Sequence, residues 1–299
     1  MTAILLFGKN GQVGAELCAS LAALGELTAS GRNDVDLSKP DAIRSTLRRL
    51  KPQLVVNAAA YTAVDDAEGH RDEAYALNCE APRIMAEELA KWDGVLIHYS
   101  TDYVFDGAKS TPYMEDDPTH PINVYGASKL AGERALAAGG VSYLILRTSW
   151  VYGHAGRNFV NTVAGHVRAG RPIRAVSDQT GSPTWARTVA RATQKIIEKC
   201  GSSLAGMHET CHLAAAGAAT RYELALKIAQ LIAVNDRATA KVQAARSSEF
   251  PTAAARPAYS ALSSRKVTAR FGVELPRWDA DLDAYFRAQP PRVNTSRDT

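Results

Sequence analysis

The sequence predicts an α/β fold: a Rossmann-type doubly wound parallel sheet with a smaller, interleaved C-terminal substrate lobe. Three observations predict it. Short apolar runs rich in β-branched residues alternate with longer amphipathic stretches, the pattern of βαβ crossovers. The first run ends in a glycine-rich turn that leads into a helix-like segment. Past about Gly153 the alternation gives way to short mixed elements punctuated by Pro172, Pro183, Pro251, Pro257 and Pro276.

Taken in order, Ile4 to Phe7, a run near Leu27 to Ser30, Leu54 to Asn57, Val95 to Tyr99 and Tyr143 to Arg147 read as strands. Ala15 to Leu24, Asp41 to Leu50 and Glu80 to Trp92 favour helix between them. Right-handed crossovers stack these strands as one sheet. The helix-like Trp185 to Cys200 and the apolar His212 to Ala215 are expected to return to it. The chain therefore divides into a dinucleotide-binding domain over 1–153 plus about 185–215, a substrate-binding lobe over about 154–184 and 216–290, and a tail over 291–299.

With 46% hydrophobic and 22% charged residues among 299, the composition is that of a globular enzyme and excludes disordered, collagenous and coiled-coil classes. The charge of +4 comes from 35 basic and 31 acidic residues dispersed along the chain, so nucleic acid is not an expected partner. Cys18, Cys79, Cys200 and Cys211 are widely spaced and show neither a zinc nor a disulfide pattern. The opening apolar run lacks a basic flank and stops at Gly8, too short for a signal or membrane segment. A cytoplasmic protein with no membrane partner is expected.

The first strand runs into Gly8-Lys9-Asn10-Gly11-Gln12-Val13-Gly14, a G-x-x-G-x-x-G turn ahead of a helix. Glycines allow the backbone to bend sharply and approach a pyrophosphate, and the free N–H groups at the helix start supply donors and a favourable dipole. After the second strand, Arg32 stands where NAD enzymes often carry an acid against the ribose hydroxyls. A guanidinium there pairs with a 2′-phosphate, favouring NADPH over NADH, although a solvated surface arginine fits the sequence equally. Asp36 and Leu37 beyond it complete this part of the expected cofactor site. Ala58, Ala59 and Ala60, after Asn57, are small enough for a cofactor to lie against the backbone, or for a tight core.

The segment Tyr125-Gly126-Ala127-Ser128-Lys129 places a phenol and an ammonium at i and i+4, on one face of a helix. A tyrosine has a reference pKa of ~10, and a neighbouring cation favours phenolate and eases proton donation. A lone Tyr-x-x-x-Lys pair is commonly just an exposed helix face. Here it follows Ser100-Thr101-Asp102-Tyr103, the small-residue strand end and the glycine turn, in the order and approximate spacing of short-chain dehydrogenases/reductases. The sequence resembles the extended branch of that family. Residues 8–14, 57–65, 98–105, 147–153 and 178–184 narrow the resemblance to the dTDP-4-dehydrorhamnose reductases, across most of 1–290. Weaker agreement continues at Arg256-Pro257, Ser260 and Leu262.

The resemblance implies NADPH-dependent reduction of the C4 ketone of a dTDP-linked 4-keto-6-deoxysugar, dTDP-4-dehydro-β-L-rhamnose, for activated-sugar and polysaccharide biosynthesis. Tyr125 then protonates the developing oxyanion, and Lys129 holds the nicotinamide ribose and depresses the Tyr125 pKa. Thr101 hydrogen-bonds the sugar oxygen. Asp102, Tyr103 and Trp150 line the sugar pocket, and Asn158 and Arg256 contact the nucleotide or diphosphate. Core packing is the competing reading of Trp150.

Some family members dimerise through a magnesium ion held by carboxylates from the first helix and from the region before the last sheet strand. Glu16 matches the first position, but residues 200–206 contain no acid. No metal-bridged dimer is therefore expected, and the chain is a monomer or another kind of homodimer. Two other readings stay open: a non-catalytic dinucleotide-binding regulatory subunit, and a related nucleotide-sugar epimerase or dehydratase with tightly bound NAD.

Overall fold

The computed structural model describes residues 2–288, so the segment 291–299 expected as a tail lies outside the described residues. Six strands, β1 (Thr2–Phe7), β2 (Gly25–Ser30), β3 (Leu54–Asn57), β4 (Val95–Thr101), β5 (Ser142–Thr148) and β6 (His208–His212), form one sheet in the order β6-β5-β4-β3-β1-β2. All neighbours run parallel. The predicted fold class is thus the observed one.

Parallel sheets are covered on both faces, which is why the strands are near-continuous apolar runs. Every residue of β3 and β4 is buried. Alternate side chains serve opposite faces. Ile4, Leu6, Val56, Ile97 and Leu146 pack under helices α1 (Gln12–Ala22) and α6 (Ala186–Cys200). Leu5, Phe7, Val55, Leu96 and Ile145 meet α2 (Pro40–Leu50) and α3 (Ala81–Leu89) on the other face. Between β5 and α6 lie α5 (Phe159–Arg168) and short strands; α7 (Arg221–Asp236) and α8 (Trp278–Arg287) follow β6. Helices α5, α7 and α8 share a separate apolar cluster that includes Val160, Val163, Leu224, Ile228, Leu282 and Tyr285. Parallel pairing of Ile173–Val176 with Val242–Ala245 adds a small ladder beside it.

Three segments differ from their sequence reading. The first helix begins at Gln12, directly on the glycine turn, and ends at Ala22 rather than running from 15 to 24. The stretch read as one helix over 80–92 is a π-helical turn (Ala76–Glu80), α3, and a 3-10 turn (Ala90–Trp92). The wide turn buries Asn78, whose amide bonds both the N–H and the carbonyl of Tyr61 and donates to Ser128 Oγ at 2.9 Å. The last strand is His208–His212, not residues 212–215. As an edge strand it tolerates polar residues, while the apolar Leu213, Ala214 and Ala215 fill the core just beyond its end. All four cysteines are free. Among the described residues no helix is long and apolar enough to cross a membrane.

Candidate active site

Strand β1 sits between β2 and β3, so the chain leaves it on one side and returns on the other. Such a switch point opens a crevice beyond the carboxyl ends of the strands. A cleft of about 740 Å³ lies there, walled by the ends of β1 to β5 and by Trp150, Gly156, Arg157 and Arg221.

Its floor at β1 is the glycine turn. Gly8 adopts φ +87°, and a Cβ on it would stand 2.6 Å from the Ala59 N–H nitrogen, so strand β3 approaches this turn at backbone distance. The turn closes with Gly11 N–H donating to the Gly8 carbonyl at 2.9 Å, and Gly11 opens α1. Gly8, Asn10, Gly11, Gln12 and Val13 line the cleft. Gly14 does not: a Cβ there would fall 2.0 Å from the Gly8 oxygen, so this glycine serves helix-to-turn packing. Arg32, Asp36 and Leu37 line the cleft at β2, with Arg32 exposed. Asp36 Oδ1 accepts from the Ser38 N–H at 2.9 Å and from its hydroxyl at 2.7 Å, bonds that hold the carboxyl below the usual range. Ala58, Ala59 and Ala60 form the wall at β3.

The candidate reacting groups come from the end of β4 and from α4 (Val124–Ala138), which supplies the helix expected for the Tyr125 and Lys129 pair. Asn123 caps α4 by accepting from the Gly126 N–H at 2.7 Å, and its amide donates to the Ala255 carbonyl at 2.8 Å. A Cβ on Gly126 would lie 2.1 Å from the Tyr103 carbonyl oxygen, so the first turn of α4 rests directly on the chain leaving β4. This brings the Tyr125 and Tyr103 rings edge to face at 5.9 Å. Thr101, Asp102, Tyr103, Tyr125, Lys129 and Trp150 all line the cleft.

The electrostatics depart from expectation at Tyr125 and Lys129. Burial pushes the Tyr125 phenol up, partly opposed by the Thr101 hydroxyl, so it is not depressed by Lys129. Lys129 Nζ instead donates to the Tyr99 carbonyl at 2.6 Å and stands 3.1 Å from His98 Nε2. Burial pulls this lysine down to about 8, against the favourable charge of Glu133. At the same depth Asp102 is raised to about 6 by burial. It accepts hydrogen bonds from Thr101 Oγ1 at 3.1 Å, Ser149 Oγ at 2.9 Å and Ser260 Oγ at 2.5 Å.

Two expected nucleotide contacts also stand outside the cleft lining. Asn158 caps α5 and its amide donates to Gln12 Oε1 at 3.0 Å and to the Gly153 carbonyl at 2.8 Å. Arg256 forms a bidentate pair with Asp65, at 2.5 and 2.7 Å.

The geometry is that of a dinucleotide turn joined to a Thr, Tyr and Lys group in one cleft. The model for the RmlD substrate binding domain matches residues 1–289. The chain belongs to the RmlD substrate binding domain family. A curated relative from Burkholderia thailandensis named dTDP-4-dehydrorhamnose reductase is 41% identical, over 92% of this chain and 95% of its own. A Streptomyces antibioticus relative, whose name ascribes to it 4-ketoreduction of dTDP-4,6-dihydroxy-2-methyloxan-3-one, is also 41% identical, over 86% and 85%. Among solved structures, the dTDP-4-dehydrorhamnose reductase of Bacillus anthracis in complex with NADP superposes with a TM-score of 0.89 at 31% identity, covering 97% of this chain and all of that one.

Glu16 pairs with Arg187 at 2.8 Å. A guanidinium already neutralises that carboxylate. Among the described residues no group of three or more His, Cys, Asp or Glu is placed to hold a metal ion. The sequence reading missed Arg221 altogether, and it gave no role to His98, Ser149 and Ser260, which stand within or beside the runs that carry the resemblance.

Proposed function

We propose that this protein catalyses NADPH-dependent reduction of the C4 ketone of dTDP-4-dehydro-β-L-rhamnose to dTDP-β-L-rhamnose, in the cytoplasm, as a step in activated-sugar biosynthesis. The single observation that carries the reading is that Thr101, Tyr125 and Lys129 line the same cleft as the glycine turn and Arg32. The cofactor fits these residues: a backbone cradle at Gly8 to Val13, small side chains at Ala58 to Ala60, and an exposed guanidinium at Arg32 for a 2′-phosphate. When bound, NADPH supplies the hydride.

The chain's own residues do the rest. Tyr125, whose raised pKa keeps the phenol protonated at neutral pH, holds a proton on Oη for the ketone oxygen as charge develops there. Thr101 orients that oxygen with its hydroxyl. Lys129 binds the cofactor ribose, exchanging its internal partners for the sugar hydroxyls. Asp102, Tyr103 and Trp150 shape the sugar pocket. Residues 1–153 with about 185–215 form the cofactor half, and about 154–184 with 216–290 the substrate half.

NADPH consumption with the dTDP-linked ketosugar tests the reading. Turnover that requires both components is expected. A protein that leaves NADPH unconsumed refutes it, and stoichiometric NAD released on denaturation supports the epimerase reading instead.

A further inference from the structure

Arg221 is the first residue of α7, yet its guanidinium faces the cleft and not solvent. The guanidinium carbon lies 3.5 Å from the centroid of the Trp150 ring and 5.0 Å from that of Phe159. Trp150 itself adopts φ +45°, and a Cβ at Gly181 would reach within 2.3 Å of its indole, so the ring is held between Gly181 and Arg221. Arg221 is thus fixed by stacking, with the Tyr103 hydroxyl as its polar neighbour.

What it lacks is an anion. Among the described residues Arg221 has no carboxylate within ion-pair distance; the buried Asp102 nearby is already bonded by three hydroxyls. The neighbouring Arg256 is neutralised by Asp65. The first turn of a helix, where the dipole is positive, also disfavours a cation. Stacking on Trp150 and Phe159 holds the half-buried guanidinium in place but leaves its charge without a carboxylate, which a bound anion supplies.

We propose that Arg221 binds the diphosphate of the nucleotide-sugar, holding it on the lobe side of the cleft while the sugar reaches past Tyr103 to Tyr125. This inference rests on the nucleotide-sugar reading above. Tyr103 neighbours both groups, its hydroxyl beside Arg221 and its ring edge to face with Tyr125 at 5.9 Å, so it stands between the anion subsite and the phenol. Arg256, with its charge already matched, contributes less than Arg221 to anion affinity.

The test is calorimetric titration of NADP-saturated protein with dTDP and, by competition, with uncharged thymidine. Arg221→Gln is expected to weaken dTDP roughly ten- to hundredfold, the range for a charge-assisted bond, and to leave thymidine and NADP affinity within twofold. A loss of dTDP affinity smaller than threefold, or an equal loss for thymidine, overturns the assignment, the second outcome marking a purely packing role against Trp150. Should the glutamine variant fail to bind NADP, Arg221→Met, whose stem still covers the indole, carries the same test with the same outcomes. If the unsubstituted protein binds NADP but not dTDP, the nucleotide-sugar reading itself fails.

Discussion

Nε2 of His98 faces Nζ of Lys129 at 3.1 Å, and the far side of the same imidazole meets the Asn57 amide at 3.1 Å. Asn57 Oδ1 accepts from the Ala59 N–H, which fixes its NH2 group toward His98 Nδ1. Nδ1 is therefore the acceptor and Nε2 carries the ring proton. That proton points at the lysine and opposes an ammonium, in the same direction as the burial that lowers Lys129 to about 8. His98, itself held well below its usual value by burial and by Lys129, stays neutral. Glu133 on α4, paired with Arg147 of β5, is the acidic group that supports the charged lysine.

A pH profile follows from this pair. The ammonium form, which the proposed ribose-binding role requires, is present below about 8 and lost as pH rises through it. We expect kcat/KM to fall on the alkaline side with an apparent pKa near 8, and His98→Gln to move that limb upward. A limb that stays in place in the variant rejects the coupling.

Tyr125→Phe removes the proposed proton donor and keeps the ring. Turnover should fall by roughly 10²- to 10⁴-fold with little change in NADPH affinity. Fluorescence titration of NADPH beside steady-state rates separates the two effects, and near-normal turnover would reject Tyr125 as the acid.

Arg32→Ala is expected to weaken NADPH roughly tenfold and NADH hardly at all, because only the former carries the 2′-phosphate. Equal KM changes for the two cofactors would remove that role.

Away from the cleft, the fully buried Glu88 carboxylate is shared by Arg44 at 2.9 Å, Arg48 at 2.8 Å and Lys91 at 2.7 Å, which hold its pKa well below the usual range. A depressed carboxylate stabilises the fold above its unfolded value near 4.5, and the contribution is lost as pH falls through the folded value. Glu88→Gln should cost about 1–3 kcal/mol at pH ~7, a modest figure because the cations are partly solvated. In urea titrations the gap between the two proteins should close in strong acid; a gap independent of pH would point to packing alone.

The sheet was legible because β1, β3, β4 and β5 are buried on both faces and so are written as apolar runs. β6 was misplaced for the complementary reason: an edge strand reading His208-Glu209-Thr210-Cys211-His212 carries little apolar signal. Tyr125, Lys129 and Thr101 could be found because spacing on one helix and one strand end brings them near each other. Arg221 could not, since a basic residue opening a helix looks like solvated surface. Its only local sign is the Thr220 and Glu223 capping box, which places the helix start but says nothing of the direction of the side chain. The internal partners of Asn158 and Arg256 were equally hidden, because Gln12 and Asp65 lie 146 and 191 residues away.

The seat of α4 on the Tyr103 carbonyl at Gly126 has a further consequence. With no side chain between helix and strand end, there is no soft layer to yield, so the location of the Tyr125 phenol is set by main-chain contact before any ligand arrives. Even a single added methyl at that glycine would lift the whole first turn and carry the phenol away from its target, disarming the enzyme without altering one reacting atom.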